Sequence, residues 1–293
     1  MRAVSMTITS DARRRRRATG FHWSQAALYV LLIGLALVYI FPFFIQIATM
    51  FKTEGNAATD PLSLIPSPFS TAALSRLFLN SDFPLWSMNS VIVAVFVTVG
   101  RALFDSMAGF ALARLHYRGR NIVFAGLIAV MAVPGVALLI PKFLVITQLG
   151  LFNTYPGMIL PFFADATGVF IMKNFFESIP VAIEESARVD GASTFRIYWS
   201  VVLPMATPAL ITIIILSFQG SWNELQQILA SSSKPALTTL SRGVASLASG
   251  SLGSGTQYPL KLAAAMLMTV PVAIIFFVFQ KRIMNMSSGA VKE

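Results

Sequence analysis

The chain has 293 residues, of which 56% are hydrophobic and only 12% charged, and its net charge is +10. Soluble domains carry about 25% charged residues, so this composition predicts an integral membrane protein. In such a protein an excess of Lys and Arg reports orientation, and no nucleic-acid partner is expected. The absence of cysteine excludes disulfides and thiol catalysis. The two histidines, His22 and His116, lie far apart, so we expect no metal site.

Six apolar stretches are long enough to cross about 30 Å of hydrocarbon as helices of roughly 20 residues. The sequence therefore predicts an all-α integral membrane fold with six transmembrane helices. Proline and glycine within these stretches are tolerated where neighbouring helices re-satisfy the freed backbone groups. The predicted spans are residues 26–50, 88–113, 122–141, 156–176, 205–229 and 262–280.

A basic tail, residues 1–25, precedes the first span. Arg13–Arg17 imitate the start of a secretory signal, but the apolar run behind them is too long for one, so we interpret it as a retained span. With the N-terminus inside, fifteen of the 22 Lys and Arg residues fall on the cytoplasmic side, six fall on the other side, and Arg101 lies within a span. This asymmetry predicts that both termini, including the tail 281–293, are cytoplasmic.

Two long segments are predicted on the opposite side of the membrane. Residues 51–87 form a proline-punctuated extracytoplasmic loop ahead of the helical core at 88–280. Residues 230–261 are rich in Ser and Gly. This second segment is interpreted as a flexible connector, or alternatively as a flap that faces an external partner.

Three charged residues fall within predicted spans. Arg101 and Asp105 are four residues apart in span two, so a helix would place them on one face. A lone charge there costs about 2.5–3.5 kcal/mol on insertion scales, and a mutual ion pair would lower that cost. We interpret the two as a self-neutralised pair or a bond to a partner helix, with a gating role as the alternative. Asp165 in span four is expected to bond between helices or to line a polar path.

The stretch 178–208 is a polar interruption between spans four and five. Pro180 suits the first turn of a helix, and Asp190 with Gly191 predicts a turn, because glycine accepts positive φ. We therefore predict a helix–turn–helix outside the membrane, shaped to be held by a partner. Its charged residues are Glu184, Glu185, Arg188, Asp190 and Arg196.

Span five carries side-chain amides at helical spacing with Trp222 beside them, so the amides are predicted to share one face. Amides in a span cost free energy unless they are paired or face water or a ligand. The set is either a substrate path, in which amides bond sugar hydroxyls, or a group of bonds to other helices. Its members are Gln219, Trp222, Asn223, Gln226 and Gln227.

The run E-S-A-R-V-D-G-A at residues 185–192, followed by Pro204, resembles the EAA motif of bacterial ABC importer permeases. Serine at position 186 stands where the motif usually has alanine, which is a small-for-small change. The resemblance implies that 178–208 contains a cytoplasmic coupling helix between helices four and five, docked in a groove of a partner ATPase.

Residue roles follow from that resemblance. It implies a charged contact from Glu185 to the ATPase and a close turn at Gly191, next to Asp190. Ala187 and Ala192 are implied to keep the surface thin enough to insert.

Further motifs resemble the carbohydrate branch of the family, the maltose-type permeases. They lie at residues 111–119 and 133–141, and at Ser221-Trp-Asn-Glu224. The resemblance covers about residues 40–293 and implies a subunit of the bacterial plasma (inner) membrane that translocates a carbohydrate by alternating access. The implied partners are a second homologous permease subunit, two cytoplasmic ATPase subunits and an extracytoplasmic solute-binding protein.

ATP chemistry is not expected in this chain. The sequence contains no G-x-x-x-x-G-K-[ST] run, so ATP and Mg are assigned to the partner ATPase and no cofactor to the chain itself. A permease of the same superfamily for a non-sugar solute, such as glycerol phosphate, an amino acid or a peptide, is the alternative. A membrane enzyme or ion channel would need clustered catalytic groups or a re-entrant filter, and the sequence indicates neither.

Overall fold

The structure, a computed structural model, describes residues 23–248 and 257–289, and all regular elements within these ranges are helical. The predicted all-α fold is confirmed. The basic run Arg13–Arg17 and residues 290–293 lie outside the described residues. The helices begin with α1 (Trp23–Met50), α2 (Glu54–Thr59), α3 (Ala72–Leu79), α4 (Phe83–Arg114), α5 (Arg120–Met131), α6 (Leu139–Gln148), α7 (Tyr155–Ile159) and α8 (Ala166–Ser178). They continue with α9 (Val181–Val189), α10 (Thr194–Arg196), α11 (Leu203–Met205), α12 (Thr207–Asn223), α13 (Gln226–Ser231), α14 (Leu240–Ala248) and α15 (Tyr258–Gly289).

Three stretches of the described chain are long and apolar enough to cross a membrane as single helices: Gln25–Met50, Phe83–Arg114 and Tyr258–Gln280. Three bent helix pairs raise the number of candidate spans to six if each pair is one span. Predicted spans three and four therefore correspond to bent helix pairs. In predicted span five, residues 205–229, helix α12 covers Thr207–Asn223 and a separate helix begins at Gln226.

Two of the three interruptions coincide with a proline. The chain bends by 103° between α5 and the helical stretch that begins at Gly135, because Pro134 lacks an N–H and disfavours helical backbone before it. A bend of 43° precedes α8, and one of 80° precedes α12, which carries Pro208 in its first turn. Bends at membrane depth require other groups to bond the freed backbone.

The chain divides into two units, residues 1–44 and residues 45–293. In the first unit, the described part of α1 is apolar and exposed along most of its length, as expected for a helix that faces lipid. In the second unit, α4 is the central helix and packs most extensively against α8 and α12.

Glycine allows α4 and α8 to approach closely. A Cβ atom at Gly109 would lie 2.6 Å from Cβ of Met172 and 2.9 Å from the backbone nitrogen of Lys173. Small residues at such contacts let membrane helices pack backbone to backbone. Beside this contact Phe110 and Phe176 pack edge to face in a buried apolar cluster.

Residues 230–248 include the end of α13 and all of α14 and are bonded to the rest of the core, so the expectation of a flexible connector at 230–261 is wrong for this part. Asn89 Nδ2, on α4, donates to the carbonyls of Ala236 and Thr238 at 2.9 and 2.8 Å. Asn89 Oδ1 accepts from the Tyr155 hydroxyl at 2.6 Å. A single buried amide thus ties α4 and α7 to the segment 232–239. Residues 249–256 lie outside the described chain.

We predict that Gly109→Ala lowers the stability of the fold by about 1–3 kcal/mol, because the added methyl group overpacks the α4–α8 contact. The matched control is Gly126→Ala in α5, where a Cβ meets nothing within 4 Å. Thermal unfolding of the purified protein in detergent measures both. A lower Tm for Gly109→Ala with an equal or higher Tm for Gly126→Ala is expected, and equal values for both variants would contradict the close packing.

Candidate functional site

The segment 178–208 folds as predicted into a helix, a tight turn and a second helical run. Pro180 precedes α9. The helix ends in a turn in which Gly191 N–H bonds the Arg188 carbonyl and Ala192 N–H bonds the Ala187 carbonyl, each at 3.0 Å. This pair of bonds is a Schellman motif, which requires left-handed backbone, and Gly191 has φ +79°. The turn therefore depends on glycine at this position.

Helix α9 has an inward and an outward face. Ile183 and Ala187 face inward and pack against the cluster around Phe110. Glu184 lies on the same face and is buried, whereas Glu185 is exposed. The resemblance assigns a charged contact to Glu185 and gives Glu184 no separate role. The helical period was the missed signal, since Glu184 is adjacent to one inward apolar residue and three positions before the other.

A buried ion pair joins α9 to the end of α4. Arg114 Nε lies 2.6 Å from Glu184 Oε1, and the two side chains are only 8% and 1% exposed. The N–H does not point along the line to this oxygen, so the contact is an attraction of charges rather than a linear hydrogen bond. Arg188 approaches the other oxygen of Glu184 at 3.8 Å from the solvent side.

Arg114 also binds the end of α8. One of its terminal nitrogens donates to the carbonyls of Phe176 and Ile179. The last carbonyls of a helix have no partner within the helix, and an arginine can bond several acceptors at once. Arg114 therefore holds together the ends of α4 and α8 and the inward face of α9.

A second polar contact lies deeper in the same region. The Tyr198 hydroxyl is 2.7 Å from Oγ of Ser106 on α4. Tyr198 belongs to a π-helical turn, Ile197–Val202, and its ring packs on Phe110 at 5.2 Å between centroids. Both ends of the segment are thus fixed to α4.

The outward face of the segment carries both charged side chains and large apolar side chains. Val189 is 89% exposed, Phe195 66% and Trp199 51%. Glu185 and Asp190 are exposed, and in the described parts of the chain their side chains make no hydrogen bond or ion pair. Of the predicted site residues, Glu185, Asp190 and Gly191 lie on this face. Ala187 and Ala192 instead pack partly buried against the apolar cluster.

The charges predicted to pair in the membrane do not pair with each other. Arg101 Nε donates to the Phe162 carbonyl at 2.8 Å. Asp105 Oδ1 accepts the N–H of Asp165 at 2.9 Å, and Asp165 Oδ2 accepts the N–H of Gly168 at 3.2 Å. The predicted Arg101–Asp105 ion pair is wrong, because the bend before α8 frees backbone groups that bind these side chains instead.

The predicted amide face is also wrong as a continuous helical face. Helix α12 ends at Asn223, and Glu224 Oε1 accepts the Gln227 N–H at 2.9 Å, which starts a separate helix. Trp222 is 2% exposed and donates from Nε1 to the Met268 carbonyl at 3.0 Å. Gln227 is buried and donates to Oγ of Ser231.

Three of the amide residues remain exposed: Gln219 and Asn223 on α12, and Gln226 at the start of α13. Asn223 Nδ2 donates to the Gln219 carbonyl at 2.9 Å, which leaves the Asn223 side-chain oxygen free to accept. Leu216 and Gly220 are exposed on the same helix. We call Leu216, Gln219, Gly220 and Asn223 the open face of α12.

The fold and this site define a polytopic helical membrane protein that presents an anchored helix–turn–helix between two of its membrane segments. The chain belongs to the family of binding-protein-dependent transport system inner membrane components, which matches residues 105–285. It is therefore a membrane component of a transport system.

Individual relatives carry different cargoes. The chain is 31% identical over 281 residues to the permease protein of the arabinooligosaccharides transport system of Bacillus subtilis, covering 94% of this chain and 99% of that protein. It is 27% identical over 258 residues to the permease protein of the sn-glycerol-3-phosphate transport system of Yersinia pestis, covering 86% and 91%. Among solved structures, it matches a bacterial ABC transporter involved in the import of the acidic polysaccharide alginate, with a TM-score of 0.79, 25% identity and coverage of 88% and 95%.

We predict that Gly191→Ala destabilises the turn after α9 by about 1–2 kcal/mol, because a Cβ is strained in left-handed backbone. A Cβ at this position meets nothing within 4 Å, so no clash contributes. Gly191→Asn is the control, since asparagine tolerates this conformation better than alanine does. Thermal unfolding in detergent should rank the Tm values wild type, then Asn, then Ala, and a ranking with Ala at or above wild type would contradict the turn.

Proposed function

We propose that this chain is the permease subunit of an ABC importer that carries a carbohydrate across the bacterial inner membrane by alternating access. The observation that carries the proposal is the outward face of the 178–208 segment. It presents an unpaired carboxylate, Glu185, among exposed apolar and aromatic side chains on a support that is fixed to α4. Such a surface suits a protein partner, and the partner we propose is the ATPase of the importer.

The composition of the outward face supports docking. Aromatic side chains buried at the centre of an interface carry much of its binding energy, and Phe195 and Trp199 stack on each other here with centroids 6.4 Å apart. A charged side chain beside them contributes orientation and specificity, which is the role we propose for Glu185. Coupling requires that this face contact two states of the ATPase differently.

The arrangement of basic residues supports a cytoplasmic placement of this end of the chain. Arg114 pairs with Glu184, and Arg120 lies 3.4 Å from Glu177 near the end of α8. Arg188 and Arg196 belong to the segment itself. The excess of Lys and Arg on this side also supports a cytoplasmic placement of both termini under the positive-inside rule.

The open face of α12 supports a second permease subunit and a path for cargo. Polar side chains within membrane segments face a protein interior or a water-filled cavity, rather than lipid. A second permease that covers this face would leave Gln219 and Asn223 at the interface. Amides both donate and accept hydrogen bonds, which matches sugar hydroxyls. A solute-binding protein delivers the sugar from the opposite side.

The glycerol-phosphate relative makes a phosphate ester the second candidate cargo. The intramembrane charges favour the neutral sugar instead. Arg101 lines a small cavity together with the carboxyl groups of Asp105 and Asp165, a lining that does not favour an anionic cargo. Its Nε is already directed to the Phe162 carbonyl.

The cargo is tested on the cognate solute-binding protein and on the reconstituted importer. The binding protein is screened by thermal shift against mono- and oligosaccharides, sn-glycerol 3-phosphate and amino acids. We expect only a sugar to raise its Tm. The sugar should then accumulate in proteoliposomes that contain both permeases and the ATPase, and only with ATP. If only sn-glycerol 3-phosphate stabilised the binding protein, the cargo would be a phosphate ester instead of a sugar. Accumulation without ATP would contradict the proposal of an ATP-driven importer.

We predict that Glu185→Ala reduces ATP-driven uptake about tenfold or more, because the loss of one charged contact at a docked interface costs about 1.4 kcal/mol or more. Membrane insertion should not change, since Glu185 has no partner within the described chain. Glu54→Gln is the control, an exposed carboxylate far from this face and 3.9 Å from Arg76. Uptake and copurification of the ATPase measure the effect, and full uptake by the Glu185→Ala variant would exclude the proposed role.

We predict opposite effects for the exposed and the buried amides of the α12–α13 region. Gln219→Leu and Asn223→Ala should reduce sugar uptake severalfold at unchanged Tm, because these side chains face outward. Gln227→Ala should lower the Tm instead, since it breaks a buried hydrogen bond worth about 1 kcal/mol. A loss of Tm without a specific loss of uptake for the first two variants would assign them to packing.

A further inference from the structure

Helix α4 connects the 178–208 segment to the opposite end of the helical core. It has 32 residues, which corresponds to about 48 Å at 1.5 Å per residue. At one end Arg114 holds Glu184 of α9. Near the other end Asn89 holds the carbonyls of Ala236 and Thr238.

The contacts at the Arg114 end fix orientation as well as position. Arg114 and Ser106 are eight residues apart on α4, which corresponds to about 12 Å along the helix. Arg114 binds Glu184 before the turn at Gly191, and Ser106 binds Tyr198 after it. Two separated contacts prevent the segment from pivoting independently of α4.

The ion pair is more selective than the apolar packing around it. Apolar contacts in the cluster at Phe110 are non-directional and permit sliding. The guanidinium instead presents donors in a rigid planar fork: here it donates to two carbonyls at the end of α8 and lies in charge contact with the α9 carboxylate. Movement of α9 therefore has to carry the ends of α8 and α4 with it.

We infer that Arg114 and Glu184 are positioning residues through which movement of the 178–208 segment is passed along α4 to the segment 232–239 at the opposite end. The inference rests on the proposed function, because it assumes that an ATPase moves the segment. In this inference, α4 carries a movement that the ATPase causes to the side of the membrane that receives the cargo. Neither residue touches cargo or ATP in this assignment.

The test compares single and double substitutions in the complete importer in proteoliposomes, with its ATPase and loaded binding protein. Arg114→Met or Glu184→Met alone leaves one buried charge unpaired, so assembly itself should fall. The double variant R114M/E184M leaves neither charge and should recover assembly relative to Arg114→Met, because replacing both partners of a buried pair by apolar groups is often tolerated. The carbonyls of Phe176 and Ile179 lose the guanidinium equally in these two variants, so they do not affect that comparison. The decisive quantities are sugar transported per ATP hydrolysed and stimulation of the ATPase by loaded binding protein.

We expect the double variant to assemble but to transport about tenfold less sugar per ATP. Wild-type transport per ATP in the double variant would overturn the inference. Glu177→Gln is the matched control on the same side of the core, since Glu177 pairs with Lys173 and Arg120 and contributes no ion pair to α9 among the described residues.

A conservative variant covers the case in which the double variant does not assemble. Arg114→Lys keeps the charge, but a single ammonium lacks the planar fork that serves α8 and α9 together. We expect it to assemble and to lose ATPase stimulation severalfold, and unchanged stimulation would overturn the inference. The proposed function fails separately, if the wild-type importer shows no ATP-driven uptake of sugar.

Discussion

The contacts of the buried Arg114 side chain hold one end of this helical core together. A buried guanidinium is tolerated only when its donors are matched, and removal of one partner of such a pair costs about 3–5 kcal/mol. Here the partners are a carboxylate on α9 and the carbonyls at the end of α8. The same guanidinium therefore bonds carbonyls at the end of α8 and orients α9. The position of the outward face of the 178–208 segment therefore depends on these contacts.

The interrupted membrane segments follow a related constraint. A bend within the hydrocarbon frees N–H and C=O groups that water cannot reach. Asp165 caps the first turn of α8, and Asp105 receives the N–H of Asp165. Arg101 serves the Phe162 carbonyl on the other side of the same bend. These three charged side chains thus bond the backbone groups that the break in the helix leaves without a helical partner.

Local sequence signals made much of the fold predictable. The remaining contacts could not be predicted, because they join residues that are far apart in the sequence. Hydrophobic length placed most membrane segments, and Gly191 marked its turn because left-handed backbone favours glycine. Spacing alone paired Arg101 with Asp105, whereas the structure gives each a backbone partner about 60 residues away in sequence. The role of Glu184 was not predictable for the same reason, because its partner Arg114 lies 70 positions earlier in the sequence.

The π-helical turn at Ile197–Val202 has a consequence for how relatives of this chain can differ in length. A π turn holds one residue more than the α-helical turn that it replaces, and it bonds five residues back instead of four. Loss of one residue here would restore regular α-helix and leave the two flanking faces in register. Loss of one residue within an α-helix such as α12 would rotate everything beyond it by about 100°. Single-residue gaps between homologues should therefore concentrate at this turn.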